Sequence, residues 1–164
     1  MNIYVKTFSG HVVVRPDTGW VRKNEDFYVP DHIDSISAST VVTARICRPG
    51  KCIGLRFVER YYDFVGDGLL LYPDTLLDGT EEGYANAIAL GHISYVPLPE
   101  REKSSMSAPL RSLLSQAIVD ITSFCLVRSG DIVTVETEPR KYLCAREDQR
   151  CSVRSGDFAF DVIF

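Results

Sequence analysis

Five cysteines, Cys47, Cys52, Cys125, Cys144 and Cys151, are the residues of this sequence most readily credited with chemistry. A thiol attacks or is oxidised as its thiolate, and Arg45, Arg48 and Lys51 stand close enough in sequence to Cys47 and Cys52 to favour that form. Redox sensing is therefore one reading. Zinc would want tighter pairs such as C-x2-C, whereas the spacings here are C-x4-C and C-x6-C, and His11, His32 and His92 stand alone. An odd count scattered along a chain that is not small does not make a disulfide framework. The plainer reading is that Cys47 and Cys52 are small buried hydrophobes, brought face to face across a hairpin whose turn is Pro49-Gly50. A second group is acidic: Glu59, Asp63, Asp67, Asp74 and Asp78 supply the hard oxygen ligands that magnesium or manganese prefers. A charge run on a helix and its following loop is more simply a solvated face.

These residues must be positioned by strands. "HVVV", "FYV" and "TVVTARIC" are β-branched or aromatic runs parted by "RPDTG", "VPDHID" and "RPGK", which are rich in turn formers. Residues 55–64, "LRFVERYYDF", have the apolar spacing of a short amphipathic helix that Gly66 and Gly68 break. "GLLLYP" reads as a buried strand, "DTLLDGTEEG" as an acidic loop, and the second half of 84–98 as another strand. "PEREKSSMSAP" reads as a flexible connection. The strongest helix signal places Leu110, Leu113, Leu114, Ala117, Ile118, Ile121 and Phe124 on one face, with Ser107 as N-cap. The pentad "VRSGD" occurs at 127–131 and again at 153–157, each time opening a strand through a tight turn. Residues 138–141 and "AREDQR" read as solvated loops.

The chain has 164 residues, enough to bury a core as one domain, 1–164. With 45% hydrophobic and 24% charged residues and a net charge of −4, it reads as a soluble globular protein without the basic surplus that nucleic acid demands. No apolar run approaches the roughly 20 residues of a membrane span, and "MNIYVKTFSG" lacks the apolar region of a signal peptide. The expectation is a cytoplasmic protein with neither nucleic acid nor membrane as partner.

Four motifs in order resemble the fumarylacetoacetate hydrolase superfamily of acylpyruvate hydrolases, ketopentenoate hydratases and related decarboxylases and isomerases. "VVVRPDTGWVRKNEDFYVPD" is similar to the family's "KPDT" loop and following "PD", and "VVTARICRPGKCI" to its E-L-V-V-R-I-x-R-P-G-K-x-I hairpin. "RYYDFVGDGL" resembles the Y-x-D-x-x-G-x-G approach to the site, and "LLSQAIVDITSFCLVRSGDIVTVETEP" the C-terminal helix, its Gly-Asp turn and the T-G-T-P strand, with Gly156-Asp157 as the second such turn. The likeness covers residues 11–75 and 110–164. It implies a mainly β fold with a few helices, a mixed β-sandwich or roll of the family's C-terminal-domain type, shortened in the middle.

The resemblance also implies what is missing. The family holds magnesium or manganese with an E-x-E pair and a later aspartate, and the cation polarises the keto and enolate oxygens of the substrate. Carried over from Pro30-Asp31 and from Arg45, the E-x-E pair falls on Ser39 and Val41; counted from Asp63 and Gly66, the third ligand falls on Leu70. Ser37 stands for the family's histidine, Glu136 for the glycine of T-G-T-P, and "YPDT" for T-A-R-D. There is no lysine between Lys51 and Lys103 to supply the family's active-site lysine, and the family's R-N-Y loop is absent. The expectation is a catalytically inactive member without cofactor, acting as a binding or assembly subunit. It would pair with itself or a paralogue and would accept a small-molecule acid. The candidate pocket is Arg15, Ser37, Ser39, Val41, Asp67, Leu70, Asp74, Glu136 and Thr137. The alternatives are a magnesium- or manganese-dependent hydrolase, hydratase or isomerase of small keto acids with relocated ligands, and a thiol redox sensor.

Overall fold

In "SISASTVVTARI", small and β-branched residues alternate between two faces, and the segment forms one long strand at the centre of the protein. The computed structural model describes residues 1–17, 25–31, 33–74, 94–95, 101–155 and 158–164. Its strands are β1 (Asn2–Lys6), β2 (Val12–Pro16), β3 (Phe27–Tyr28), β4 (Ser35–Ile46), β5 (Tyr62–Asp74), β6 (Ser94–Tyr95), β7 (Arg101–Glu102), β8 (Ile132–Glu136), β9 (Lys141–Ala145), β10 (Arg150–Ser155) and β11 (Phe158–Ile163); the helix α1 spans Ala108–Phe124. A mixed sheet runs β2-β1-β8-β4-β5-β6, with β7 added to β5 and β9 to β4; β10-β11-β3 form a second, smaller sheet. β1 lies parallel to β8, and β3 parallel to β11. The fold is therefore mainly β with mixed sheets, as the sequence implies.

One face of β4 is covered twice. Val42, Ala44 and Ile46, with Tyr4, Val65, Val133 and Val135, pack against Leu114, Ala117, Ile118 and Ile121 of α1. The helix presents these residues on one stripe because they recur at helical spacing. Pro109 sits in its first turn, where no N–H is needed, and the chain turns extended at Cys125. Lys6 of β1 pairs with Asp120 and ties the helix to the sheet. Farther along the same face, Ile36, Ala38, Leu69 and Leu71 pack against Phe27, Val153, Phe160 and Val162 of the smaller sheet.

The other face curls inward. Arg15, on edge strand β2, lies 5.1 Å from the ring of Tyr72 on β5, although β1, β8 and β4 intervene in the sheet. A flat sheet would hold those strands far apart, since neighbours are spaced about 4.8 Å. The sheet is therefore rolled, and its concave face buries Ile3, Val5, Val41, Leu70, Tyr72 and Ile132 in one cluster.

Several local expectations are corrected. Residues 55–64 do not form an amphipathic helix: Leu55–Arg60 is a 3-10 turn burying Val58 alone, and Tyr62 already begins β5. Gly66 and Gly68 do not interrupt the chain; they sit inside β5, opposite Thr43 and Val41. The Pro49-Gly50 turn does not join two strands face to face, because β4 pairs with β5 and the connection runs from 47 to 61. Gly50 instead makes a bridge to Val127, and the Cys52 N–H donates to the Thr122 carbonyl at 2.7 Å. "PEREKSSMSAP" is anchored by β7 and by buried Met106, and the two loops at 138–141 and 145–150 flank β9, which takes Lys141 and Ala145 from their ends. The second "VRSGD" has Val153, Arg154 and Ser155 inside β10, and its Gly156-Asp157 lies outside the described residues.

The first such turn does what the pentad predicts: Gly130 has φ +91 just before β8. A Cβ there would meet nothing within 4 Å, so Gly130→Ala tests the backbone alone. We expect it to lower unfolding free energy by about 1–2 kcal/mol in urea titrations, the cost of a left-handed residue with a side chain.

Candidate functional site

Directly paired residues of neighbouring antiparallel strands share a face, and this brings the three key positions together. Ser39 is opposite Leu70, and Val41 lies between Gly68 on β5 and Glu136 on β8. All three side chains are buried on the concave face of the roll. The Ser39 hydroxyl donates to the Glu138 carbonyl at 2.8 Å, while Val41 and Leu70 belong to the apolar cluster with Ile3 and Ile132.

Beside them is a polar group. The Glu136 carboxyl accepts from the Tyr72 hydroxyl through one oxygen and from the Phe8 N–H, at 2.7 Å, through the other. The Tyr72 ring carries Arg15 at 5.1 Å and Arg140 at 3.7 Å. Burial pushes the Tyr72 phenol upward, with Glu136 adding to the effect, while burial lowers the pKa of the Arg15 guanidinium. Arg15 is only 3% exposed, and its Nε and Nη1 meet no acceptor. Tyr72 was not foreseen. The alternation of β5 could have found it, since it lies two residues beyond Leu70 on the same face. Nothing local marks Arg140, because a loop from another strand delivers it.

The remaining candidates disperse. Ser37 lies opposite Tyr72 and so belongs to the same face. Asp67 has the opposite parity and pairs with Arg101 at the surface. Thr137 bonds to the Thr40 hydroxyl at 2.9 Å, fastening the end of β8 to β4 on the far face. Asp74 ends β5 opposite Ser35, and its side chain, like Asp78, His32 and His92, lies outside the described residues. Asp63 binds Arg45 through two hydrogen bonds of 3.1 and 2.7 Å, which hold its carboxyl below the usual range. Glu59 accepts from the Tyr62 hydroxyl at 3.0 Å and pairs with Lys103. These two acids, with Cys47, Arg48, Tyr62 and Lys103, border an open cleft of about 850 Å³. The cysteines are all free. Cys47 is half-buried, with its thiol donating to the Arg60 carbonyl, and Cys52 is exposed. Cys144 and Cys151 are the thiols that touch, but burial, then Cys151 itself, pushes the Cys144 thiol up to about 12, the reverse of what a reactive thiol needs.

A hard divalent cation does not fit the three positions. They offer one hydroxyl, already spent on a carbonyl, and two hydrocarbon side chains, while both oxygens of neighbouring Glu136 have partners. Among the described residues no cluster of three or more histidine, cysteine or acidic side chains is placed to hold a metal. No helix among them is long and apolar enough to cross a membrane.

Neither a protein-family model nor a curated protein sequence matches this chain. Solved structures do: from end to end it has the fold of the fumarylacetoacetate hydrolase family. Among them is a fumarylpyruvate hydrolase from Pseudomonas aeruginosa in complex with Mn2+ and pyruvate, with a TM-score of 0.76 at 12% identity, covering 100% of this chain and 90% of that one. A Yersinia pestis CO92 protein assigned to the same family matches at 0.64 and 14% identity, over 99% and 91% of the two chains. A 5-carboxymethyl-2-hydroxymuconate delta-isomerase from Mycobacterium smegmatis matches at 0.69 and 10%, over 99% and 78%.

Proposed function

We propose that this protein keeps the fumarylacetoacetate hydrolase fold without its divalent-metal chemistry, and works as a catalytically inactive binding or assembly subunit. The observation that carries the reading is the meeting of Ser39, Val41 and Leu70 on one buried, largely apolar face. Placing a cation there would strip its water without returning carboxylate oxygens. Pairing with a second copy or with an active relative is the partner class this reading favours. Calorimetric titration with manganese is expected to give no binding heat up to millimolar metal, whereas a saturable isotherm would sink the reading. If the protein runs as a monomer by light scattering and retains no relative on purification, the assembly half of the proposal fails.

A hydrolase or isomerase with relocated ligands is supported less well. Glu59, Asp63 and Asp67 each already face a cation, Lys103, Arg45 and Arg101. The same manganese titration tests it with the opposite expectation.

A further inference from the structure

We propose that Cys144 and Cys151 form an oxidation site, closing under a hydroperoxide into a disulfide that fastens the smaller sheet to the larger. The site does not depend on the metal-free reading of the concave face. Cys144, on β9, lies directly opposite Ile36 of β4 and is buried where the larger sheet meets the smaller one. Cys151, on β10, lies opposite Val162 of β11, and both face back into the same apolar cluster. The two thiols are hydrogen-bonded to each other across this seam. The other three cysteines stand apart from the cluster: the Cys47 thiol donates to the Arg60 carbonyl, Cys52 is exposed, and Cys125 packs on the cluster beneath α1.

The connection between the two thiols is short and pinned. Asp148 accepts from the Ala145 N–H at 2.9 Å, the Gln149 N–H donates to the Arg146 carbonyl at 3.1 Å, and Gln149 turns the chain with φ 57. Arg146 donates to the Pro30 and Ile33 carbonyls at 3.0 and 2.8 Å, and the Phe164 N–H to the Gln149 carbonyl at 3.0 Å. A disulfide forms without backbone movement only where the fold already brings two sulfurs together, and here strands on either side of a fixed turn do so. Burial keeps Cys144 protonated, so half-buried Cys151 is the thiol that meets the oxidant. Its thiolate attacks the peroxide: an S–O bond forms, the O–O bond breaks, and hydroxide leaves to take up the Cys151 proton as water. The Cys144 sulfur then attacks the Cys151 sulfenic acid, forming the S–S bond and breaking the S–O bond, and the departing hydroxide carries off the Cys144 proton as water. Two thiols and one hydrogen peroxide thus give one disulfide and two waters.

The test treats the full chain with a small excess of hydrogen peroxide at neutral pH, alkylates the remaining thiols and maps the peptides without reduction. The Cys144–Cys151 cross-link is expected as the main product, with free thiols falling from five to three and recovering in dithiothreitol. Tm should rise by several degrees on oxidation and return on reduction. Cys151→Ser should leave Cys144 reduced at the same dose, whereas in Cys144→Ala a sulfenic acid should accumulate at Cys151 and be trapped by dimedone. If Cys144→Ala does not fold, the wild-type map and Cys151→Ser still decide. A disulfide joining another pair, five surviving thiols, a Tm that does not rise, or oxidation of Cys144 in Cys151→Ser each overturns the proposal.

Discussion

Leu70→Asp is expected to cost at least about 4 kcal/mol, lowering Tm by roughly 10 °C or more by calorimetry. Leu70 is fully buried at the middle of β5, among Ile3, Val41 and Ile132. The change removes that packing and places a carboxyl group among hydrocarbon side chains. Leu70→Ala, the packing control, should cost less, since it creates a cavity but buries no polar group. The informative variant is the triple Ser39→Glu, Val41→Glu, Leu70→Asp. If these positions are where a family metal centre stood, three carboxylates converge there, and the variant should be unstable in EDTA but regain Tm with manganese. Metal at a hundred times its Kd would return about 2.7 kcal/mol. A triple variant indifferent to manganese would show that the positions, though adjacent, do not form a ligand set.

Raising the pH from 8 to 11 should sharply lower stability, because the buried thiol and phenols would ionise over that range in the unfolded chain. Burial pushes the Tyr62 phenol up to about 12, Tyr72 moves in the same direction, and Cys144 rises from about 9 to about 12. A group whose pKa is raised by folding binds its proton more tightly in the native state. Its contribution is complete below the unfolded value and is lost as pH climbs toward the folded one. The loss therefore starts near pH 9 with Cys144 and continues from 10 to 12 with the tyrosines. Tyr62 alone represents roughly 3 kcal/mol over its interval. Urea midpoints measured across this range check it: Tyr62→Phe should flatten the upper part of the curve and Cys144→Ala the lower. A midpoint unchanged between pH 8 and 11 would contradict the burial assigned to these groups.

Much of the scaffold was legible along the chain because its signals are local. The partial alternation of "TVVTARIC" marks the second half of β4, the 3.6-residue recurrence from Leu110 to Ile121 marks α1, and Gly130 marks the turn before β8. Where the local signal misled, tertiary pairing overrode it. "LRFVERYYDF" has helical spacing, but Tyr62 and Phe64 are claimed by the ladder with Ile46 and Arg45, and pairing along a central strand outweighs a weak ten-residue propensity. Cys47 and Cys52 drew attention by flanking a turn, yet that turn serves a bridge to Val127, 77 residues on from Gly50.

The sequence by itself determined the strand and helix periods, the family likeness, and the absence of carboxylates at Ser39, Val41 and Leu70, since each is written in residue types and their order. Only the tertiary structure decided that these three meet on one buried face and that Arg15 reaches Tyr72 across three intervening strands. Sheet curvature is the reason. It arises from the accumulated twist of many paired strands, and no single segment of the sequence encodes it. It turned an edge-strand arginine into a buried one.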